Sequence, residues 1–441
     1  VSSTSNQNHV VIIGGGYTGL TAAYELCQKN IPVTIVESDN QLGGLAGVFE
    51  ISPGVIIEKF YHHWFSNDTD ILNLVEELGI SDRLKRVETN TGLYFANSIF
   101  RLASPLDLLS FTPLPLIDRI RTGLMALYAR RINSWLPLED ISAADWIRKV
   151  AGKKSFEVIW GPLLKGKFGR EAENISAVWF WNKLKLRGSS RNEKAKEELL
   201  YIRGGFKGVT DTLSEYLKSK GVQFILNSKV DQIITENNQV TGVQVENKVI
   251  PCNKVLATVA LPILTKLCKT LPLDYLNQCN SIRYLGNVCL VLRLKRSLSS
   301  TYWLNVSDPS FPFVGVIEHT NMDDKSHYAG EHIAYISKYL GTDEDLFKLS
   351  DQEYFNYCLP FIKKIFPEFS TDWLHGFACW RAEYSQPVIS KNYSKLIPNL
   401  RAPISGLYLS SMAQVYPEDR GTNYAVREGR KAGKEIIKDI F

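Results

Sequence analysis

The chain has 441 residues, 44% of them hydrophobic and 22% charged, which are globular values and exclude a wholly disordered chain. Lys plus Arg number 51 against 46 Asp plus Glu, a net charge of +5. That excess is too mild for a dedicated nucleic-acid binder, and no uncharged apolar run reaches the ~18 residues of a membrane span.

At roughly 150 residues per domain, two or three lobes are expected. The seven cysteines (Cys27, Cys252, Cys268, Cys279, Cys289, Cys358, Cys379) form no C-x-x-C pair, so neither a disulfide framework nor a zinc ribbon is expected. His319, His327 and His332 are too loosely spaced for a helical metal pair, and no metal site is expected. The polar start, Val1 to Asn8, lacks the basic-then-apolar order of a signal peptide, so the expected compartment is reducing and cytoplasmic.

Val10-Val11-Ile12-Ile13 is β-branched, uncharged and short, which predicts a buried parallel strand. Gly14-Gly15-Gly16-Tyr17-Thr18-Gly19 follows at once, then a helix over 20–29, then a strand Val33–Val36 that ends in Glu37. In such a motif the first glycine, Gly14, makes the tight turn. The second, Gly16, lets backbone approach a pyrophosphate, and the third, Gly19, lets helix pack on strand. The helix N-terminus offers free N–H groups to phosphate, and Glu37 can accept bonds from two ribose hydroxyls. Strand, glycines, helix and acid in this order predict dinucleotide binding, with an acid that disfavours a 2′-phosphate.

Gln41-Leu42-Gly43-Gly44-Leu45-Ala46-Gly47 comes next. With this second glycine doublet the chain resembles the superfamily of flavin amine oxidases, protoporphyrinogen oxidases, phytoene desaturases and UDP-galactopyranose mutases. The resemblance implies an α/β fold: a Rossmann-type FAD-binding domain carrying the GxGxxG motif, with a second, α+β substrate domain formed by insertions. The FAD domain is expected from 1–60, 200–265 and 400–441, and the substrate domain, with a helical lobe, from 61–199 and 266–399. Implied cofactor contacts are Gly14, Gly16, Tyr17, Thr18, Gly19, Glu37, Ser38, Gly43, Gly44, Leu45 and Ala46 at the first end.

Farther along, Glu58, Tyr61, His62 and His63 stand where the superfamily chain reaches the flavin ring. Asn67 or Asp68 caps a helix through Leu78 that Gly79 stops, and 91–102 alternates like a hairpin turning near Ala96-Asn97. Over 105–135, Ile117, Ile120, Leu124 and Leu127 fall at helical spacing beside Arg119, Arg121, Arg130 and Arg131. This is either a helix resting on a membrane or admitting a lipid-like substrate, or a helix facing its own core. Residues 156–191 mix tryptophan with base, including Lys167, Lys183 and Arg191, which suits either an anionic, ring- or isoprenoid-containing substrate or core tryptophans beside solvated lysines.

Tyr201-Ile202-Arg203-Gly204-Gly205-Phe206 opens a helix to Ser219, followed by strands at 222–226, 230–235, 240–245 and 254–258. The resemblance puts Val230 near adenine. Strands are expected at 287–294 and 333–339 and a helix at 352–365. At the end, Gly406–Met412 and Gly421-Thr422-Asn423-Tyr424 look like the superfamily's last strand and helix, which implies flavin contacts from Met412, Gly421, Asn423 and Tyr424. Ser411-Met412 replaces the acid usual there, so Glu418, Asp419 or backbone takes that role.

The implied activity is removal of a hydride from a C–N or C–C bond of a medium-to-large, amphipathic substrate such as an isoprenoid or a lipid- or nucleotide-linked sugar. The alternatives are a redox-neutral sugar isomerase and a non-catalytic flavin-binding protein. The amine-oxidase lysine is missing from Gly286–Leu292. His62 and His63 are the candidate bases, since histidine exchanges protons near neutrality. Tyr61, Arg381 and Tyr384 are the candidate substrate contacts.

Overall fold

A computed structural model describes residues 8–102, 104–189 and 198–441; Arg191, singled out above, lies outside them. Val10–Ile13 is buried at every residue because strands pair with it on both sides. It is the centre of a five-stranded sheet whose order is Gln223–Ile225, Val33–Val36, Val10–Ile13, Lys254–Ala257 and Leu407–Leu409. All four pairings are parallel. Parallel strands covered on both faces read as continuous apolar runs, which is how Val10–Ile13 and Leu407–Leu409 are written. The helix after the first strand runs Tyr17–Cys27, three residues earlier than its apolar spacing predicts, because it starts directly on Gly16.

Helices Gly205–Ser219 and Thr422–Lys438 complete this layer. The last helix crosses Tyr17–Cys27 closely. A Cβ on Gly429 would collide with the Thr18 carbonyl and Thr21 hydroxyl, and one on Gly433 would come within 2.9 Å of the Ala22 carbonyl. Small residues there let the two backbones approach.

The other large element is a seven-stranded sheet in the order Leu374–Pro387, Tyr284–Leu294, His332–Leu340, Gly315–Glu318, Trp303–Val306, Thr91–Phe95 and Ser98–Arg101. One face packs on helix Asp351–Ile365, burying Val288, Leu290, Leu292, Phe355 and Ile362 together. The opposite face looks toward the parallel sheet. The expected hairpin is present, and Ala96 and Asn97 both take positive φ, 48° and 59°, as a two-residue turn between strands of this twist requires. Of a three-stranded meander, Val230–Glu236 and Gln239–Val245 were expected, and Lys248–Pro251 is a third strand that the sequence reading did not include.

Helices fill 105–189. Ala177–Ser189 is central, with Trp179, Phe180 and Trp181 buried. Leu116–Arg131 packs against it through Met125 and Ala129, with Thr122 bonded to Ser155, while Ile117, Ile120, Leu124 and Leu127 all point outward. The apolar stripe therefore does not face its own core. No described helix is long and apolar enough to cross a membrane.

Candidate functional site: a glycine cradle and the cavity beside it

The turn out of the first strand is held by Thr258, whose hydroxyl donates to the carbonyls of Ile13 and Gly14 at 2.8 and 3.1 Å. Gly14 takes φ +110°, and a Cβ there would sit 2.5 Å from that hydroxyl. A Cβ on Gly19 would run into the Gly14 carbonyl, so the helix could not close on the strand. Gly43 donates to the Gly15 carbonyl at 2.9 Å, and a Cβ on Gly44 would lie 3.2 Å from Gly16 Cα. The two glycine strings thus run backbone against backbone. A Cβ on Gly16 would meet only Gly44 Cα, at 3.8 Å, so this side of the loop is open. The helix starting at Tyr17 has no acidic residue in its first turn and no side chain capping it, which leaves its N-terminal N–H groups for an anion.

Glu37 lies at the end of the second strand. Its carboxylate accepts from Gly15 N at 2.6 Å, Asp39 N at 2.8 Å and the Ser38 hydroxyl at 3.1 Å. Glu37 backbone also bonds Ile225 O and Ser228 N, which brings the start of Val230–Glu236 beside it. The Tyr17 hydroxyl donates to Phe206 O at 3.1 Å and so ties the cradle to the Gly204-Gly205 turn. Leu45 and Ala46 continue in a 3-10 turn, Gly44–Ala46.

Leu45 is also one wall of a cavity of about 190 Å³. Gly421, Thr422, Asn423 and Tyr424 form another wall, at the N-terminus of the last helix. Thr422 accepts from Trp64 Nε1 at 2.8 Å and Asn423 accepts from Ile71 N at 3.1 Å, so these side chains lock the helix start in place. The first turn carries no acidic residue, which suits developing negative charge. An open glycine edge, a free helix start beside it and an acid at the sugar position fit a flavin dinucleotide.

His62 and His63 both line the cavity. His62 Nδ1 is 2.7 Å from the Phe60 carbonyl and donates to it, leaving Nε2 with its lone pair. Burial, reinforced by the charge of Arg420, pushes the imidazole down to about 4, so it is neutral at physiological pH. His63 Nδ1 sits 2.9 Å from the Tyr302 hydroxyl. Tyr61 lines the cavity with Tyr339, their hydroxyls 3.5 Å apart, and Arg420 donates to the Tyr339 hydroxyl at 2.8 Å.

Asp419 is buried among cations: Lys183 Nζ at 2.8 Å and Lys167 Nζ at 3.5 Å. Burial alone would raise its pKa, but Lys183, Lys167 and Arg420 hold it well below the usual carboxylate range. Glu418 instead pairs with Arg427 at 3.1 Å, so Asp419 is the acid that reaches the cavity. Asn287 faces the cavity from Tyr284–Leu294; its amide donates to Ser337 at 2.9 Å, and its buried Oδ1 has no partner.

Two expected substrate contacts require correction. Arg381 bonds the Phe347 carbonyl at 3.0 Å and Asp351 at 2.7 Å, at the start of helix Asp351–Ile365 on the far face of the sheet. Its register partner is Val288, which is in the core beneath that helix. Tyr384 packs edge-on against Tyr284 at 5.5 Å and is not among the cavity residues. Met412 lies in a short turn, Met412–Gln414, capped by Ser411, and is also outside the cavity wall.

Sequence reasoning named Glu58 only by position. It is buried and accepts from Phe206 N at 2.7 Å and the Tyr201 hydroxyl at 3.0 Å, and burial raises its pKa. A Cβ on Gly205 would lie 2.7 Å from that carboxylate, so the glycine is required there twice, by space and by φ +65°. Arg420 and Asn287 were missed; the adjacency of Arg420 to Gly421 was the available signal.

The flavin containing amine oxidoreductase family model matches residues 17–437. Coproporphyrinogen III oxidase of Staphylococcus aureus is 26% identical over 263 residues, 52% of this chain and 56% of that one. Zeta-carotene desaturase of Synechocystis is 26% identical over 313 residues, 63% of each chain. The chain thus spans about half to two thirds of the length of these curated relatives. The fold is shared with a structure described as a putative protoporphyrinogen oxidase from Exiguobacterium, at TM-score 0.78 and 16% identity over 100% of both chains. Reduced UDP-galactopyranose mutase matches at TM-score 0.76 and 14% identity, over 98% of this chain and 96% of that one. The chain belongs to the flavin containing amine oxidoreductase family, an oxidoreductase family with a Rossmann-type fold, and its cofactor is FAD.

Proposed function

We propose that this protein removes a hydride from a C–N or C–C bond of a medium-to-large, amphipathic substrate that carries an anionic group. The observation that carries the reading is the cavity itself. Aromatic side chains, Tyr61, Trp303 and Tyr339, line it together with the cations Lys183 and Arg420, and it adjoins the glycine strap at Leu45. FAD supplies the hydride acceptor when bound. Gly14, Gly16, Gly19, Gly43 and Gly44 hold its phosphates, Glu37 its ribose, and Gly421 to Tyr424 its ring. His62 takes a proton at Nε2 and Arg420 orients the anionic group. Residues 1–60, 200–265 and 400–441 form the FAD domain, and the two insertions form the substrate domain.

The substrate is of the isoprenoid, porphyrinogen-like or lipid-linked class. A reducing, cytoplasmic compartment belongs to the same proposal. The test is anaerobic mixing of the holoenzyme with a panel of small amines, neutral polyprenes and anionic amphipaths. Bleaching of the flavin by anionic amphipaths is expected; bleaching by small amines alone overturns the reading.

A second reading is a redox-neutral sugar isomerase. It is favoured by Asn287, which stands on the cavity strand where no lysine occurs, and by the likeness in fold to UDP-galactopyranose mutase. Turnover that requires pre-reduced flavin and consumes no acceptor selects it.

A further inference from the structure

Nine of the fourteen large apolar side chains that are exposed among the described residues fall between Leu106 and Leu136. Soluble surfaces scatter such residues singly; a contiguous set marks an interaction site. Six belong to helix Leu116–Arg131: Leu116, Ile117, Ile120, Leu124, Leu127 and Tyr128. At ~100° per residue these positions fall within an arc of about 120°, one uninterrupted stripe. Ile117 is 68% exposed, and Leu106, on the short preceding helix Pro105–Ser110, is 75% exposed.

The helix is fixed from behind. Thr122, Met125 and Ala129 are buried on the opposite face, and Trp181 Nε1 donates to the Ala129 carbonyl at 2.8 Å. The stripe is thus held outward by a rigid anchor. Arg121, Arg130 and Arg131 are exposed around it, at both ends of the helix. Arg119, alongside, donates to the carbonyls of Leu109 and Leu114 and pins the two helices together.

The charge pattern selects the occupant. A second copy paired antiparallel across this stripe would bring Arg119 and Arg121 of one against Arg130 and Arg131 of the other. Those like charges oppose each other directly. An anionic bilayer instead takes the apolar stripe into its acyl boundary and the flanking arginines at its headgroups.

We infer that residues 105–136 form a docking surface for an anionic lipid bilayer, with the stripe Leu116–Tyr128 inserted at the headgroup boundary. Helix Ala177–Ser189 links this face to the cavity. It touches the docking helix through Trp181 and lines the cavity through Lys183 and Leu186. Docking stands on the surface alone; delivery of a lipid-borne substrate along this helix rests on the proposed function.

The test is co-sedimentation of the full-length holoenzyme with phosphatidylcholine vesicles, with and without about one third phosphatidylglycerol. Binding to the anionic vesicles, weakened by added salt, is expected. Ile117→Ser/Leu124→Ser/Leu127→Ser and, separately, Arg121→Glu/Arg130→Glu/Arg131→Glu should each reduce it by roughly tenfold or more. Both sets change exposed side chains, so flavin absorbance and thermal unfolding stay as in the parent. Leu273→Ser, at another exposed apolar position, should sediment as the parent does. Absence of binding to anionic vesicles overturns the inference, as does binding that neither triple variant weakens. An oligomer in sedimentation velocity that dissolves in the Ile117/Leu124/Leu127 variant also overturns it, by giving the face to a second copy. Vesicle binding by an enzyme that no amphipath reduces would leave docking intact and overturn the proposed function alone.

Discussion

The glycine cradle and the cavity next to it are built from opposite materials. The cradle is backbone: Gly14, Gly16, Gly19, Gly43 and Gly44 present peptide groups, and a Cβ at Gly14 or Gly19 would strike a neighbouring segment. The cavity is side chain: His62, Asn287, Tyr339 and Arg420 come from four distant stretches, His62 and Asn287 held by the Phe60 carbonyl and Ser337, Tyr339 and Arg420 by each other. Backbone binding has a strict sequence signature because few residues leave room for it. Side-chain binding has none, because any fold that brings the right groups together serves.

The sharpest break of this contrast is Gly19→Val. The branched Cβ would force helix Tyr17–Cys27 off the strand, costing about 3 kcal/mol or more and all bound FAD. A yellow, normally melting variant would refute the backbone account. Next in size, His62→Ala and His63→Ala should slow flavin reduction by substrate by roughly 100-fold while retaining FAD, as read by stopped-flow absorbance. Normal rates in both variants would take the proton acceptor elsewhere. Arg420→Lys keeps charge but loses the forked donor, and should raise KM for an anionic substrate about tenfold with FAD content unchanged.

The smallest effect is on stability. Asp68, buried before helix Thr69–Glu77, is pushed up to about 6 by burial, against the bond from Phe65 N. A carboxyl whose folded pKa is raised gives stability that is fully present below the unfolded value near 3.8 and is lost as pH rises through about 6. Between roughly pH 5 and 7 the parent should therefore lose about 1 kcal/mol more than Asp68→Asn, measured by urea unfolding of the apoprotein at both pH values. Equal losses would mean that Asp68 is not held protonated.

What could be read from the chain follows the same division. Val10–Ile13, the glycines and Glu37 declare the parallel sheet and the cofactor because local pattern and local function coincide there. Arg381 was misplaced by one step of strand parity. Ala382 pairs with Asn287, which faces the cavity, whereas Arg381 pairs with Val288, which faces the helix behind. Which of the two faces inward is set by pairing with a distant strand, which the residues around Arg381 do not reveal by themselves. The outward turn of Leu116–Arg131 was open in the sequence for a similar reason. Its inner face, Thr122, Met125 and Ala129, carries less apolar surface than the outer stripe, so hydrophobicity alone favoured the wrong side. Glu58 could not be recognised because its partners, Tyr201 and Phe206, are far along the chain.

The close crossing of Thr422–Lys438 over Tyr17–Cys27, glycine against carbonyl, has a consequence for biosynthesis. The phosphate loop is translated some 400 positions before the last helix, which packs on its supporting helix. Until then the supporting helix has a bare flank, and a polypeptide stopped short of residue 422 would emerge colourless.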